Sequence, residues 1–432
     1  MTGWFIWALL GGIVVFILLQ HIQYRQNILM ISILGLLLGW RGIDFSDSFV
    51  IYPTELFIWV GFVVYLMDNL TKRNTKKNKK YTGANFFEIA LALLAITGAG
   101  TALSFGRSFL DVLFPLKSFL VFIPMLVLFR NWIEDKQQIA FYARTLVYVG
   151  VIISVLGLLE RYIPQIAGLI PIYTPGSSVE IRYNFEFGSR IELAGFSAWG
   201  TPVVSTLLVM CAGLASLMPA PDNGRQKYIL FFSFPILVLG IIAAGYRSSW
   251  LGLIVILFLL AFYNRPKLFS WSVYLVSGII FLFSSVYLDR LKTLSFISNP
   301  QDPSFIRRSL ALQNGWEAII NHPILGTGWG SPTAFNDWAN IGVSMGLPGL
   351  FVFAGGYVWL LYRLFQYAAK AKEQNEQFLH LAFAGALLGY AIAMVSGAMS
   401  QVFPIMTGFW FVFCLSYRLV EISSYEEQKT NG

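Results

Sequence analysis

Residues 86–130 read FFEIALALLAITGAGTALSFGRSFLDVLFPLKSFLVFIPMLVLFR, and they decide the fold. Two apolar runs, 86–104 and 110–130, stand either side of a short break that holds Arg107. Each is long enough to carry a helix across a bilayer, which takes roughly 17–25 mostly apolar residues. Just upstream lies the most basic stretch of the chain, Lys72, Arg73, Lys76, Lys77, Lys79 and Lys80.

The same pattern continues in both directions. Further runs lie near 3–20, 27–40, 52–70, 138–160, 194–218, 228–246, 248–263, 268–287, 341–366, 378–396 and 402–420. The spacing predicts an all-α protein, a polytopic transmembrane bundle of about 13 spans forming one integral membrane domain over 1–432. The runs at 27–40 and 248–263 are the shortest. The chain is 56% hydrophobic and 12% charged, against about 25% charged in a soluble domain. Mean hydropathy is +0.65. The net charge of +8 does not point to nucleic acid, because it lies in short loops between apolar runs. Met1 to Phe5 carries no basic residue and no cleavage signal, so the first run is expected to be a retained helix. Cys211 and Cys414 each lie inside an apolar run and are expected to be small core residues.

Placing the run Lys72 to Lys80 in the cytoplasm orients every other loop. The N-terminus is then outside and the C-terminus inside. Of the 30 Lys and Arg, 18 fall inside, 10 outside, and Lys117 and Arg144 lie within spans. The inner set is 11 Lys and 7 Arg; the outer set is 9 Arg and 1 Lys. That outer set is Arg41, Arg107, Arg161, Arg182, Arg190, Arg247, Arg290, Lys292, Arg307 and Arg308. Topology alone depletes both residue types outside, and gives no reason to keep Arg and remove Lys. The guanidinium is a planar fork that grips phosphate or carboxylate at two points. The bias therefore suggests an outer face that holds an anion such as a diphosphate. The plainer account pairs these arginines with Glu180, Glu186, Glu192, Asp289 and Asp302, or lets them reach lipid headgroups.

Two outer loops are long, 161–193 and 288–340, and loops of that length are usually functional. The second carries apolar residues at helical spacing, Phe305, Leu310, Leu312, Trp316, Ile319 and Ile320. This predicts an amphipathic helix over 304–321 lying near the membrane surface. His322-Pro323 ends it. Gly326, Gly328 and Gly330 follow, but without the strand or the Gly-Lys-Ser/Thr of a nucleotide motif.

Several of these features occur together, in order, in one known family. Arg308, His322-Pro323-Ile324-Leu325-Gly326-Thr327-Gly328, Asn336 and Gly346-Leu347-Pro348-Gly349 resemble the signature of the bacterial O-antigen ligase and O-antigen polymerase superfamily. Tyr246-Arg247-Ser248 resembles the family's second arginine segment, and Gly195 to Pro202 loosely resembles a third. One departure matters. Where ligases carry a histidine before the asparagine, this chain has Phe335, which tilts the resemblance from ligase toward polymerase. The extra N-terminal helix is a milder departure.

The resemblance implies a membrane glycosyltransferase acting on a glycan linked to polyprenyl diphosphate at the outer leaflet of the bacterial inner membrane. A sugar hydroxyl attacks the anomeric carbon and the lipid diphosphate leaves. Arg247 and Arg308 are the first candidates to hold the leaving charge, with Arg190, Arg182 and Lys117 behind them. Asp337 is ranked first as general base, ahead of Glu192 and His322. Its plainer reading is a helix N-cap or first-turn acid. Asn336 is a candidate to position a sugar, and Gly326 and Gly328 to line the substrate. No metal site, cofactor or nucleic-acid partner is expected. Membrane lipid and other members of a polysaccharide assembly system are the implied partners. An anion or small-solute transporter is the alternative from another class, and a membrane scaffold the third.

Overall fold

The computed structural model describes residues 24–38, 43–46, 49–51, 53–71, 86–162, 201–219, 224–244, 246–263, 303–330, 336–395 and 405–431. The expected spans at 3–20 and 268–287 and nearly all of the loop at 161–193 lie outside them. The apolar runs form helices. The first half of the chain gives α1 (Tyr24–Leu34), α2 (Pro53–Thr71), α3 (Phe86–Ser104), α4 (Phe109–Leu120), α5 (Phe122–Trp132) and α6 (Lys136–Tyr162). The second half gives α7 (Thr201–Leu217), α8 (Gly224–Ala244), α9 (Arg247–Phe262), α10 (Pro303–Asn321), α11 (Asp337–Lys370), α12 (Gln374–Met394) and α13 (Ile405–Asn431).

Among the described residues, five helical stretches are long and apolar enough to cross a membrane: Phe86–Ser104, Phe109–Trp132, Lys136–Leu159, Asp337–Lys370 and Gln374–Met394. Three shorter apolar helices accompany them, Ser205–Leu217, Tyr228–Ala244 and Ser248–Phe262. The multi-pass character stands, but these helices do not reach the expected count of about 13. The run at 27–40 is one reason. It gives α1 of only 11 residues, then a 3-10 turn at Gly35–Leu38. A two-stranded antiparallel hairpin follows, β1 (Ile43–Ser46) and β2 (Phe49–Ile51), with Ile43 opposite Ile51. Apart from this short pairing the described residues are helical, as the all-α reading expects. Ile43-Asp44-Phe45-Ser46 alternates apolar and polar residues, a strand period rather than a helical one.

One end of the bundle is laced by ion pairs. Arg130 bonds Glu88 and Glu421, each at 2.7 Å. Lys136 pairs with Glu376 and, at 2.6 Å, with Glu426. Lys370 reaches Glu427 at 2.6 Å, and Arg25 reaches Asp68 at 3.5 Å. These contacts join the starts of α1, α3, α6 and α12 to the ends of α2, α5, α11 and α13. Those are the ends that the alternating reading places on one side, so the contacts agree with the alternation. Arg130 and its partners are largely buried, where a paired charge holds register and an unpaired one is costly.

At the centre of the described bundle is α12, packed against α7, α9, α11 and α13. Glycines allow the close approach. A Cβ on Gly252 of α9 would lie 2.6 Å from the carbonyl oxygen of Gly389. Between α4, α11 and α13 lies an aromatic core of Phe119, Phe122, Trp329, Phe353, Phe409 and Trp410. Cys211 and Cys414 are free and buried, as their apolar settings predict.

The expected span at 341–366 is not one helix. At Gly346 the backbone takes φ 71° and ψ −178°, which breaks the helical path. The Trp338 ring lies 5.6 Å from Phe353 and 5.4 Å from Tyr357. In a straight helix those residues would sit about 22 and 28 Å further along the axis, at about 1.5 Å per residue. The chain therefore doubles back at Gly346. A short arm, 337–345, lies alongside a long arm, 347–370. Any other residue at Gly346 would hold a strained backbone and drive its Cβ into the carbonyl of Ile324.

Candidate active site

The reversal changes where the key carboxylate sits. By sequence, Asn336 and Asp337 belong to the end of an outer loop. In the structure Asp337 is 0% exposed, inside the bundle beside α12. Asn336 is the N-cap of the short arm. Its side chain accepts the Ala339 N–H at 3.0 Å and donates to the Val395 carbonyl at 3.0 Å. The indole of Trp338 donates to the Ala391 carbonyl at 3.4 Å. These bonds tie the start of the short arm to the last turn of α12. Both ends of the Asn336 amide are thus committed to structure. Asp337 is a first-turn acid rather than the cap, where the helix dipole favours its charge.

Other helix starts gather at the same level. Ser249, in the first turn of α9, donates to Ser205 of α7 at 3.0 Å. Gly252, one turn further on, meets Gly389 of α12. Near the start of α13, a Cβ on Gly408 would lie 2.9 Å from Leu207 of α7. The Phe409 ring stacks on Tyr390 of α12 at 4.6 Å. Tyr390 lies within electrostatic reach of Asp337. So the N-terminal ends of α7, α9, α13 and the short arm surround the C-terminal end of α12. Helix starts carry partial positive charge and unbonded N–H groups, which suits an anion.

Arg247 is the first residue of α9, so its backbone stands in this ring. Arg308 lies within α10, and its backbone alone is described. Arg182, Arg190, Glu192, Phe335 and the segment 195–200 lie outside the described residues. Along α10, Ile319 is buried against Gly342, whereas Ile306, Leu310, Trp316 and Ile320 are exposed together with Gln313 and Glu317. His322 ends α10 as an exposed ring set edge-on to Phe105 at 5.3 Å.

The glycine turn is accounted for by packing. Gly326 and Gly328 have φ of 67° and 83°. A Cβ on Gly326 would strike the Val343 carbonyl, and one on Gly328 would strike Ala102. Gly326 N–H bonds the His322 carbonyl at 2.9 Å and Thr327 N–H bonds Val343 at 2.7 Å. Those donors are therefore turned inward, not presented to a phosphate. Trp329 anchors the turn in the bundle, its indole donating to the Ala95 carbonyl at 2.8 Å.

Lys117 has a partner that sequence reasoning did not name. Its ammonium reaches Glu55 of α2 at 2.6 Å, with the two side chains 12% and 1% exposed. Asp111, in the first turn of the same helix, instead accepts from Ser108 at 2.6 Å. Breaking a buried pair from one side costs about 3–5 kcal/mol, because a lone charge remains. We expect Lys117→Met to lower the melting temperature of the purified protein markedly. Adding Glu55→Gln should recover most of the loss.

Other residues at or near the site were also missed. Tyr390 and Thr407 read as ordinary members of apolar runs. Arg107 was counted only among the outer arginines. It adjoins the glycine turn, 3.6 Å from a Cβ built on Gly330. Burial lowers its pKa and Asp111 opposes that shift, yet a guanidinium stays charged at any physiological pH. Among the described residues, no three His, Cys, Asp or Glu side chains converge as a metal site would require.

No curated protein matches the chain. The family model described as O-antigen ligase matches residues 232–354, a segment that runs from α8 through α9, α10 and the glycine turn into the long arm of α11. That match supports, over this portion of the chain, the resemblance to the O-antigen ligase and polymerase superfamily.

Proposed function

We propose that the protein is a glycosyltransferase acting on polyprenyl-diphosphate-linked glycans in surface or exopolysaccharide assembly, as a polymerase rather than a ligase. One observation carries the reading. The segment that matches the family contains Arg247, Arg308 and Asp337, and the structure gathers the start of α9 and the buried Asp337 around one end of α12. The ion-paired end of the bundle is the cytoplasmic one, with the N-terminus outside, the C-terminus inside and the site toward the outer leaflet of the bacterial inner membrane.

In this mechanism the acceptor hydroxyl bonds the anomeric carbon as the bond from that carbon to the diphosphate breaks. The electron pair leaves with the diphosphate, and the hydroxyl proton passes to Asp337. A single displacement of this kind inverts the anomeric centre. Arg247 and Arg308 hold the leaving charge, with Arg182 and Arg190 assisting, so fixed cations do what a metal does elsewhere. Phe335 in place of a histidine supports polymerase over ligase, since phenylalanine can neither take a proton nor donate to a phosphate.

The broken α11 supports one other reading. Anion transporters place helix starts at such breaks, deep in the membrane. Deleting the gene in the native host separates the possibilities. Accumulation of single lipid-linked units is the expected result. Finished polymer left on its lipid carrier would indicate a ligase. Normal surface glycan with altered anion uptake would indicate transport and overturn the proposal.

A further inference from the structure

Of the five buried hydroxyls without a hydrogen-bond partner among the described residues, three come from elements that meet around the C-terminal end of α12. Tyr390 Oη of α12, Thr407 Oγ1 of α13 and Ser248 Oγ of α9 belong to side chains that are 0%, 0% and 4% exposed. None has a hydrogen-bond partner among the described residues. A buried hydroxyl left unbonded is costly, so such groups are rare. These three come from three different helices, yet they lie at one level. Tyr390 is within electrostatic reach of Asp337, and its ring stacks on Phe409, two residues from Thr407. Ser248 adjoins Ser249, which fastens α9 to α7 one turn above the contact of Gly252 with Gly389.

We propose that Tyr390, Thr407 and Ser248 form a polar chamber inside the bundle that receives the hydroxyl-bearing acceptor sugar and delivers one of its hydroxyls to Asp337. This deepens the glycosyltransferase reading and rests on it. Each hydroxyl can donate to one sugar oxygen or accept from a sugar hydroxyl. Tyr390 is the residue that sets the acceptor beside the carboxylate. Non-helical backbone within a membrane protein is tolerated where it is buried in protein or lines a cavity that holds water, and the turn at Gly346 is packed against the Ile324 carbonyl.

The chamber predicts access for small polar reagents. Ser248→Cys and Thr407→Cys should react with a charged, membrane-impermeant methanethiosulfonate applied to spheroplasts. Ser416→Cys, buried and bonded to the Val412 carbonyl, should stay inert. Ser309→Cys, exposed on α10, serves as the positive control. Wild-type protein gives the background from Cys211 and Cys414. Inert cysteines at 248 and 407, with Ser309→Cys labelled, would overturn the proposal.

The second arm is Tyr390→Phe, which removes only the hydroxyl. Loss of one ordinary hydrogen bond to the acceptor predicts about a tenfold lower polymer yield. The melting temperature should not fall, because no partner among the described residues is deserted. Full yield in this variant overturns the role of Tyr390. A fall in yield together with a fall in melting temperature assigns it a structural role and overturns it equally. The glycosyltransferase reading fails separately, in the deletion strain, whatever the cysteines do.

Discussion

Arg247→Lys is expected to lower glycan assembly on the order of a hundredfold to a thousandfold while the protein still inserts at its normal level. The magnitude is that of removing one fixed donor from a developing anion. Lysine keeps the charge, so insertion and topology are preserved. It loses the two-point fork that matches a phosphate, and it is more strongly hydrated. The position supports a specific role, because Arg247 opens α9 where Ser249 binds that helix to α7. A diphosphate at this point would meet the N–H groups of a helix start. The measurement is surface polysaccharide by gel electrophoresis, set against membrane protein by immunoblot. If Arg247 only reaches lipid headgroups, lysine serves equally well. Unchanged polysaccharide would then remove Arg247 from the mechanism.

Asp337→Asn should be nearly as severe, roughly a hundredfold to ten-thousandfold, if its carboxylate takes the acceptor proton. The substitution is close to isosteric and keeps the short arm capped by Asn336. A first-turn acid acting only on the helix dipole contributes about 0.3–1 kcal/mol. The two roles therefore separate cleanly. A catalytic Asp337 gives large product loss with a small change in melting temperature. A structural one gives near-normal polymer with a modest thermal shift, and that result would leave the base to be sought among Glu192 and His322.

Much of the architecture was legible because bilayer chemistry is severe. Uninterrupted apolar runs and a basic loop at 72–80 announce helices and their alternation, and the ion pairs of Arg130 and Lys136 join the ends that alternation brings together. The site was legible as a set of residue types, less so as a place. Hydropathy cannot distinguish a helix that crosses from one that folds back. The run 341–366 is apolar on both sides of Gly346, and Gly346 reads like any other glycine in a small-residue span. For the same reason Asp337 read as lying at a loop end when it lies inside. Lys117 was legible as an anomaly, but its partner Glu55 is 62 residues away in sequence, and no local spacing reveals that. Gly326 and Gly328 stood out as candidates to line the substrate, but a close backbone approach demands glycine whatever it approaches.

The doubling back at Gly346 also has a temporal meaning. The short arm is fastened to the protein by bonds to Ala391 and Val395, which close α12. Those residues are synthesised more than forty positions after the arm itself. Until they arrive, the cap at Asn336 and the carboxylate of Asp337 have no bundle to enter. A truncated chain ending before α12 would insert its earlier helices and yet lack an interior home for its acid. Competence is thus deferred until α12 is in place.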